Sequence, residues 1–354
     1  MKTAIVLVNY NGLRYLPDLF DSLCKLDYPS DQADIFFVDN ASEDGSLEYA
    51  RAKASNLQFK VNFIKNDKNL GFAGGNNTGV RQALKSANYK YIVLLNIDTV
   101  VDKNWLTELV KIAESDDEIG AAQSLILLHD TPELINTAGN MLHYLGFGWS
   151  GEYKQKCQMS NVKSNPKVKC QTPEIGYASG AAVLYRNDIL QKIGLLDEQF
   201  FMYHEDLELS WRIRLAGYKI VLAPRSIIYH RYQFSRHKKK WYWTERNRLL
   251  VYFTMYKLRT IILFAPMFVF IEVGILVYSL IDGWFVWKLK SYWEVLASIP
   301  YIIKKRRQIA VLRQVSDKQI LAHMTSKLDF PEIKNPLIKF INPILAGYFK
   351  LIYR

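Results

Sequence analysis

The sequence predicts a mixed α/β fold in which a mostly parallel, Rossmann-like sheet is flanked by helices and is followed by a separate helical region. Three short runs, at 3–9, 33–39 and 91–97, are apolar almost throughout and rich in β-branched and aromatic residues. That composition is typical of strands buried on both faces of a parallel sheet. The segments between them repeat apolar residues at helical spacing. Strands that alternate with helices in this way indicate a doubly wound sheet.

The predicted elements continue in the same alternation along 354 residues. The other strands are expected at 58–65, 121–128 and 219–224, and the helices at 13–26, 47–54, 104–114, 188–193 and 204–217. A glycine-rich loop at 70–79 opens one more helix, which runs to Lys85. We therefore expect an α/β domain at 1–235, with halves at about 1–100 and 101–235, and a second region at 236–354.

Charge and cysteine content limit the class of protein. The net charge is +12, and basic residues crowd the stretch from Arg231 to Arg307. They flank apolar runs there, which favours an anionic membrane surface over a nucleic acid as the partner. The cysteines, at 24, 157 and 170, are three in number and form no CxxC. This favours a reducing compartment without a zinc site, although a Cys157–Cys170 pair stays open. The apolar run at the N-terminus is too short for a signal peptide, so a cytoplasmic location is expected.

Polar residues end three of the predicted strands, at Asn9-Tyr10, Asp39-Asn40 and Asn96-Ile97-Asp98. Ligands of doubly wound sheets bind at the carboxyl ends of the strands, so these residues should converge at one edge. Asp98 could hold Mg2+ or Mn2+ against a diphosphate, or it could cap the next turn. Asp39 could accept hydrogen bonds from a nucleobase or ribose, or it could belong to a turn.

Three further features could carry chemistry. The glycine-rich loop with Gly74 and Asn76 would let backbone approach a phosphate, yet it is neither a GxGxxG nor a GK[ST] motif, which argues against a dehydrogenase and a P-loop enzyme. Glu205-Asp206 could complement a helix dipole or supply a general base. His230 could bind a metal, or it could simply be hydrogen-bonded.

In this order, the motifs resemble those of family 2 glycosyltransferases with the GT-A fold, especially the rhamnosyltransferase-like branch. The resemblance covers about the first 250 residues and rests on VLVNYNG, VDNASEDGS, NLGFAGGNN, LLNIDT, SGAAVLYR, FFMYHEDLELSWR, APRSIIYHRY and the RNR at 246–248.

The resemblance implies a role for each matched residue. Asp98 would be the metal-binding carboxylate of the DxD motif, whose first acid is replaced here by Asn96, and His230 would help bind the metal. Asp206, with Glu205, would supply the catalytic base. The donor nucleotide would be bound by Asn9, Tyr10, Asn11, Asp39, Gly74, Asn76, Asn96, Ile97, Asp98, Arg246 and Arg248.

The function implied is that of an inverting transferase. It would move a sugar such as rhamnose from a nucleotide-diphosphate donor to a hydroxyl of a glycan or lipid-linked acceptor, with Mg2+ or Mn2+, in cell-surface polysaccharide or glycoconjugate synthesis. The alternative is a catalytically inactive, nucleotide-binding membrane scaffold. A second copy of the chain is one further partner to consider, and no nucleic acid is expected.

The region 236–354 is expected to be basic, hydrophobic, helical and membrane-associated. The run at 260–281 is long enough to span a bilayer, but Pro266 and Glu272 interrupt it and both flanks are basic. Basic residues on both sides disfavour a single crossing, so we expect a monotopic or re-entrant helix pair at the cytoplasmic face of the membrane. A true crossing, or a packing or dimer helix in a soluble protein, is the alternative. Residues 334–354 resemble a further amphipathic surface segment.

Overall fold

The computed structural model of the chain describes residues 2–157, 173–232, 238–330 and 337–353. Nine strands form one mixed sheet, in the order β3-β2-β1-β4-β10-β6-β11-β5 with β7 beside β6, and β8 pairs with β9 separately. The strands are β1 (Thr3–Asn9), β2 (Ala33–Asp39), β3 (Lys60–Lys65), β4 (Tyr91–Asn96), β5 (Thr99–Val101), β6 (Ile119–Leu128), β7 (Ile135–Thr137), β8 (Asn140–Leu142), β9 (Gly148–Ser150), β10 (Ala182–Arg186) and β11 (Lys219–His230). The predicted parallel-rich α/β fold is confirmed.

Helices cover both faces of the sheet and make up the C-terminal third. In the described residues they are α1 (Leu16–Leu23), α2 (Ser46–Lys53), α3 (Gly71–Ser86), α4 (Trp105–Glu114), α5 (Asn187–Ile193), α6 (Glu205–Leu215), α7 (Lys238–Met255), α8 (Leu258–Ile281), α9 (Phe285–Ala297), α10 (Ile299–Leu312), α11 (Asp317–Leu321) and α12 (Leu337–Tyr353).

The four parallel strands β3, β2, β1 and β4 bring the predicted polar strand ends together. Asn9 is in register with Asp39 across β1 and β2, and Val8 is in register with Asn96 across β1 and β4. β1, β2 and β4 are buried along nearly their whole length, as their uniformly apolar sequences predict. The three strand ends therefore lie side by side at one edge of the sheet.

The glycine-rich segment is a helix and not the loop that the sequence suggested. α3 begins at Gly71, so Gly74 and Asn76 lie within its first turns. A Cβ at Gly75 would stand 2.6 Å from Val8 Cγ1, and one at Gly79 would stand 2.5 Å from Val6 Cγ1. The glycines therefore allow α3 to lie directly on β1, a packing requirement that outweighs their poor helix propensity.

β6 and β11, the two longest of the described strands, form the other half of the sheet with β10 and β5. β11 ends at His230. β10 runs antiparallel to both β4 and β6, while β11 runs parallel to β6. An irregularity between Ala223 and Ile227 lets β11 continue to His230, which is in register with Thr99 of the short strand β5. The end of β11 is thereby placed next to the end of β4.

The C-terminal helices share a hydrophobic core with the α/β part. That core joins side chains of the 142–149 stretch, α6, α7, α8 and α12, and it contains Trp211, Tyr256 and Phe264. The core therefore crosses the predicted boundary at 235/236.

A group of buried charges fastens α7, α8 and α9 to one another. We call it the buried ion cluster, and it consists of Glu245, Arg248, Glu272 and Lys288. Arg248 pairs with both glutamates, and Lys288 Nζ lies 2.9 Å from Glu272 Oε2 and also contacts Glu245. Two acids and two bases leave the cluster neutral, and the three helices that carry it are held in fixed relative positions.

α8 is the one helix of the described residues that is long and apolar enough to cross a membrane, with a mean hydropathy of 2.5. It is continuous through Pro266. Glu272 faces the protein and joins the buried ion cluster, so the acid that seemed costly in a lipid setting is paired internally. Of the cysteines, Cys24 and Cys157 are free thiols, and Cys170 lies outside the described residues.

Candidate active site

The ends of β1 and β2 are tied together by a buried polar network. The Asn9 amide donates to Asp39 Oδ1 at 3.3 Å, Ser42 Oγ at 2.9 Å and Ser46 Oγ at 2.6 Å. The other Asp39 oxygen accepts from the Ser42 backbone at 3.3 Å. Asn9 and Asp39 are fully buried, so they support the surface of the site from beneath it.

The residues after β1 form its rim. Tyr10 is 50% exposed, and Asn11 adopts a left-handed conformation with φ 51° while its side chain accepts from Glu43 N at 2.8 Å. Gly12 packs onto the end of β4 so closely that a Cβ there would stand 2.0 Å from Ile97 Cδ1. The close contact sets the β1 loop against the Asn96-Ile97-Asp98 segment.

Asp98 and His230 face each other where β4 and β11 end. His230 Nε2 lies 3.2 Å from Asp98 Oδ1, and the Arg231 backbone donates to the Asp98 carbonyl at 2.9 Å. On its other side, His230 Nδ1 lies 2.9 Å from Asn136 Oδ1 in β7. With Nδ1–H donated to Asn136 Oδ1, Nε2 would be the ring nitrogen that is available to a metal shared with Asp98.

This pair fits a hard divalent cation. Neighbouring ligands of an octahedral ion with bonds of about 2.1 Å stand roughly 3.0 Å apart, close to the 3.2 Å between Asp98 Oδ1 and His230 Nε2. Within the described residues no group of three or more His, Cys, Asp or Glu side chains could hold a metal. Mg2+ in nucleotide sites takes one or two protein ligands and completes its shell with phosphate oxygens and water, so two protein ligands are sufficient.

Glu205 and Asp206 begin α6 with different surroundings. Glu205 is buried, and its Oε2 has no hydrogen-bond partner. Asp206 is only partly buried, and it accepts from Gly180 N at 3.1 Å and from Leu207 N at 2.8 Å. Burial raises the pKa of Asp206, and burial together with the Asp206 charge raises the pKa of Glu205 well above its usual range. Asp206 is therefore the carboxylate that a substrate can reach.

Short contacts connect Asp206 to the end of β4. Asn96 N donates to the Ala181 carbonyl at 2.9 Å, and the preceding residue, Gly180, donates to Asp206. A Cβ at Gly180 would stand 2.8 Å from Phe72 Cζ. Gly180 and Ala181, just before β10, therefore connect the Asn96-Ile97-Asp98 segment to Asp206. Phe72, at the start of α3, lies beside Gly180.

The segment before α6 has unusual backbone geometry. Phe201, Tyr203 and His204 all have positive φ, at 58°, 67° and 66°. Non-glycine residues in this region cost about 1–3 kcal/mol each, and such geometry persists only where its surroundings impose it. Here the Asn247 amide of α7 donates to the carbonyls of Phe200, Met202 and Tyr203. Sequence reasoning missed Asn247.

Arg246 and Arg248 do not face an open phosphate site. Arg248 is fully buried in the buried ion cluster, which is a correction to the expectation that it lies near the diphosphate. Arg246 is also buried, and its guanidinium donates to the Gln199 carbonyl at 2.7 Å and pairs with Glu294 at 3.2 Å. Both arginines are committed to protein partners because the core of the C-terminal helices closes over them.

Two other predicted donor-site residues serve helix packing. The Asn76 amide donates to the Phe72 carbonyl within α3 at 2.9 Å and is nearly fully buried. A Cβ at Gly74 would stand 2.7 Å from Leu70 Cβ. The residue that ties α3 to the strand ends is Asn40, whose amide donates to Asn69 Oδ1 and to the Gly71 carbonyl.

A cavity of about 310 Å3 opens beside the Asp98–His230 pair. It is lined by Arg14, Tyr15, Asp130, Arg231 and Tyr232. Arg231 forms an ion pair with Asp18. The metal candidate thus has an open, partly basic and aromatic neighbourhood.

The polar strand ends and the α6 carboxylates lie at one edge of an α/β sheet, and comparison with known proteins gives the family of this domain. The chain matches the model of glycosyl transferase family 2 over residues 4–194, more than half of its length. It belongs to that family, and its fold is the GT-A fold. The rhamnosyltransferase-like branch stays a prediction.

Individual relatives are distant. The chain is 23% identical over 213 residues to the low-salt glycan biosynthesis hexosyltransferase Agl10 of Haloferax volcanii, covering 60% of this chain and 61% of the relative. It is 25% identical over 224 residues to the poly-beta-1,6-N-acetyl-D-glucosamine synthase of Staphylococcus epidermidis, covering 63% of this chain and 48% of the relative. The chain thus matches only about half to three fifths of the length of these relatives.

A solved structure resembles nearly the whole chain. The mannosyltransferase PcManGT from Pyrobaculum calidifontis, in complex with GDP-Man and Mn2+, superposes with a TM-score of 0.52 at 13% identity. The likeness covers 98% of this chain and 85% of that one. At this identity it shows the shared fold alone.

Proposed function

We propose that this chain is an inverting glycosyltransferase that moves a sugar from a nucleoside-diphosphate donor to a hydroxyl of a glycan or lipid-linked acceptor. The observation that carries the proposal is the partly exposed carboxylate of Asp206, joined through Gly180 and Ala181 to the strand end that bears Asp98. A base and a metal candidate at one sheet edge are the two groups that such a transfer needs.

In the reaction, Asp206 accepts the proton of the acceptor hydroxyl while that oxygen forms a bond to the anomeric carbon. The bond from the anomeric carbon to the phosphate oxygen breaks, and the nucleoside diphosphate leaves with the electron pair. A single displacement inverts the configuration at the anomeric carbon. Hydrogen bonds from the Gly180 and Leu207 backbones orient the carboxylate toward the site.

Asp98 and His230 would hold Mg2+ or Mn2+. A divalent ion there supplies Lewis-acid stabilisation of the charge that develops on the leaving diphosphate. The Asn136 contact keeps His230 Nε2 available as a ligand. The GDP-Man and Mn2+ of the PcManGT structure support this assignment by analogy of fold.

The donor nucleotide would bind over the ends of β1 and β2. The half-exposed ring of Tyr10 can stack on a base, and the buried network of Asn9 and Asp39 fixes the loop that carries it. Rhamnose remains the proposed sugar, with dTDP and UDP donors both to be tested. The polysaccharide and glycan functions in the names of the two relatives support an acceptor in cell-surface glycan synthesis.

The direct test is a donor screen that measures released nucleoside diphosphate with and without Mn2+ or Mg2+. Asp206→Asn should abolish transfer while donor binding persists, because the amide cannot accept the proton. Glu205→Gln compares the second carboxylate of the predicted pair with Asp206. Burial and the Asp206 charge raise the pKa of Glu205 well above its usual range, which disfavours a role as the ionised base, so its amide should keep more activity than Asp206→Asn. Transfer by Asp206→Asn at the wild-type rate would refute the assignment, and donor binding without transfer by the wild type would favour an inactive scaffold.

We also propose that the C-terminal helices bind the cytoplasmic face of an anionic membrane in the plane of the surface. α8, α9 and α12 each carry a stripe of exposed apolar side chains at helical spacing. We call these stripes the apolar face: Ile262, Val269, Val273, Val277 and Leu280 on α8, Val286, Leu289, Trp293 and Leu296 on α9, and Leu337, Phe340, Ile344 and Leu351 on α12.

The surroundings of the apolar face favour lipid as its occupant. Exposed basic residues lie on two of the same helices, Lys290 on α9 and Lys339 and Lys350 on α12, and basic residues beside apolar stripes suit anionic headgroups. The side of α8 that carries Glu272 is fixed to the protein by the buried ion cluster, and its exposed side is left for the bilayer. This pattern supports a helix in the surface plane over a helix surrounded by lipid.

Vesicle co-sedimentation would test the membrane proposal. Val277→Glu with Trp293→Glu should weaken binding to phosphatidylglycerol vesicles and leave transfer to a soluble acceptor unchanged. Met141→Glu, which alters an exposed apolar residue on β8 and not on these helices, is the control. Equal vesicle binding by all three proteins would refute a membrane role for the apolar face.

A further inference from the structure

The turn that precedes the two carboxylates of α6 is held from the C-terminal region. Asn247 of α7 donates from its amide to the carbonyls of Phe200 at 2.9 Å, Met202 at 2.9 Å and Tyr203 at 2.7 Å. Asn247 is 0% exposed, so no solvent replaces these contacts. Two N–H groups thus serve three carbonyls of one short, strained turn.

The orientation of this amide is itself fixed. The Arg246 guanidinium donates to Asn247 Oδ1 at 2.8 Å and to the Gln199 carbonyl at 2.7 Å. With its oxygen occupied by a cation, the amide must direct its nitrogen at the turn. Four of the five carbonyls from Gln199 to Tyr203 therefore accept from two adjacent side chains of α7.

The fifth carbonyl of the turn, that of Phe201, accepts a hydrogen bond from a different helix. Phe201 O accepts from Ala73 N in α3 at 3.2 Å, on the side of the turn that faces the donor half of the sheet. Loss of the Asn247 amide would leave this bond in place. Loss of Asn247 should therefore disturb the part of the turn next to Asp206 more than the part that contacts α3.

We propose that Asn247 is a positioning residue for the transfer step: it holds the left-handed turn at 201–204 and so sets the position of Asp206 against the acceptor. This inference rests on the proposed function, because Asp206 acts there as the base. Misplacement of a reacting group by about 1 Å can cost on the order of 100-fold in rate, while the donor would still bind to β1, β2 and β4.

The test compares Asn247→Ala with Asn187→Ala. Asn187 is a second buried asparagine whose amide donates to a backbone carbonyl, that of Tyr89, at 2.8 Å, and it lies on α5 away from the turn. We expect Asn247→Ala to lower kcat by about 10- to 100-fold with the donor dissociation constant changed less than about twofold. Asn187→Ala should lose comparable thermal stability and keep kcat within about twofold.

A second variant and a measurement that needs no activity distinguish a loss of positioning from a loss of folding. Asn247→Ser retains one donor and should give an intermediate kcat if the alanine variant folds poorly. Hydrogen exchange of the peptide that spans 199–207 needs no activity, and it should accelerate in Asn247→Ala but not in Asn187→Ala. Equal losses of kcat in both alanine variants, or unchanged exchange at 199–207, would overturn the inference. If the wild type transfers no sugar while the exchange at 199–207 rises selectively, the positioning role of Asn247 stands and the proposed function fails.

Discussion

Asn136→Ala should weaken metal binding although Asn136 would not contact the metal. In the wild type, His230 Nδ1 lies 2.9 Å from Asn136 Oδ1, and Nε2 lies 3.2 Å from Asp98 Oδ1. A bond from Nδ1–H to Asn136 favours the tautomer in which Nε2 can bind a metal. Without that acceptor the imidazole can move its proton to Nε2 and donate to Asp98 instead. This internal hydrogen bond would occupy both groups that are needed by the ion.

The magnitude follows from the single interaction that is lost. A neutral hydrogen bond contributes about 0.5–1.5 kcal/mol, and tenfold in affinity is about 1.4 kcal/mol. Partners of metal-binding histidines contribute about 10- to 100-fold when removed. The lower end of that range is expected here, so the dissociation constant for Mn2+ should rise about tenfold.

Titration with Mn2+, followed by electron paramagnetic resonance of the free ion, would measure the change in the presence of the nucleoside diphosphate that the donor screen identifies. Asn136→Asp keeps an acceptor at the same place and should bind Mn2+ at least as tightly as the wild type. Asn140→Ala is the control, because that buried side chain accepts from Thr137 and does not contact His230. Wild-type affinity in Asn136→Ala, or an equal loss in Asn140→Ala, would refute the reasoning.

Three other outcomes are expected. Lys288→Met leaves one uncompensated acid in the buried ion cluster and should cost about 3–5 kcal/mol in the free energy of unfolding, whereas Lys290→Met, which changes an exposed residue of the same helix, should change it by less than about 0.5 kcal/mol in denaturant titrations. Gly12→Ala should raise the dissociation constant of the donor, measured by calorimetry, because its Cβ would meet Ile97 Cδ1 at 2.0 Å; an unchanged constant would show that the loop can move away without loss. In a pH–rate profile, transfer should rise with pH through a midpoint above 3.8, because burial raises the pKa of Asp206 and the base acts only when ionised; a midpoint at or below 3.8 would contradict that environment.

The sequence predicted the elements that carry the site because their signals are local. Uniformly apolar runs identified β1, β2 and β4, and the polar residues at their ends were correctly expected at one edge. The direction of a strand leaves no such signal in the sequence, because side chains alternate with the same period of two in parallel and antiparallel strands. The antiparallel β10 therefore could not be predicted from its apolar sequence. The helical state of the 71–79 segment was missed because glycine preference is local, whereas its close packing on β1 is tertiary.

The residues that support the site were the least predictable from sequence. Asn136 and Asn247 act through partners 94 and 44–47 positions away. The motif at 246–248 drew attention to the arginines on either side of Asn247 and not to the asparagine itself. Arg248 was expected near phosphate because of the family resemblance of the motif at 246–248, yet its partners are Glu245 and Glu272. The roles assigned to Asp98, Asp206 and His230 stay predictions until the donor and metal experiments are done.

The shared core of the C-terminal helices has a practical consequence for anyone who wants a soluble enzyme. A fragment cut at 235 would lose Asn247, whose amide bonds to the turn at 200–203, and half of the core that contains Trp211. The shorter protein should express as aggregate even though every motif of the α/β domain up to His230 is retained. Solubility is better sought by replacing side chains of the apolar face with polar ones, with the full length of the chain kept.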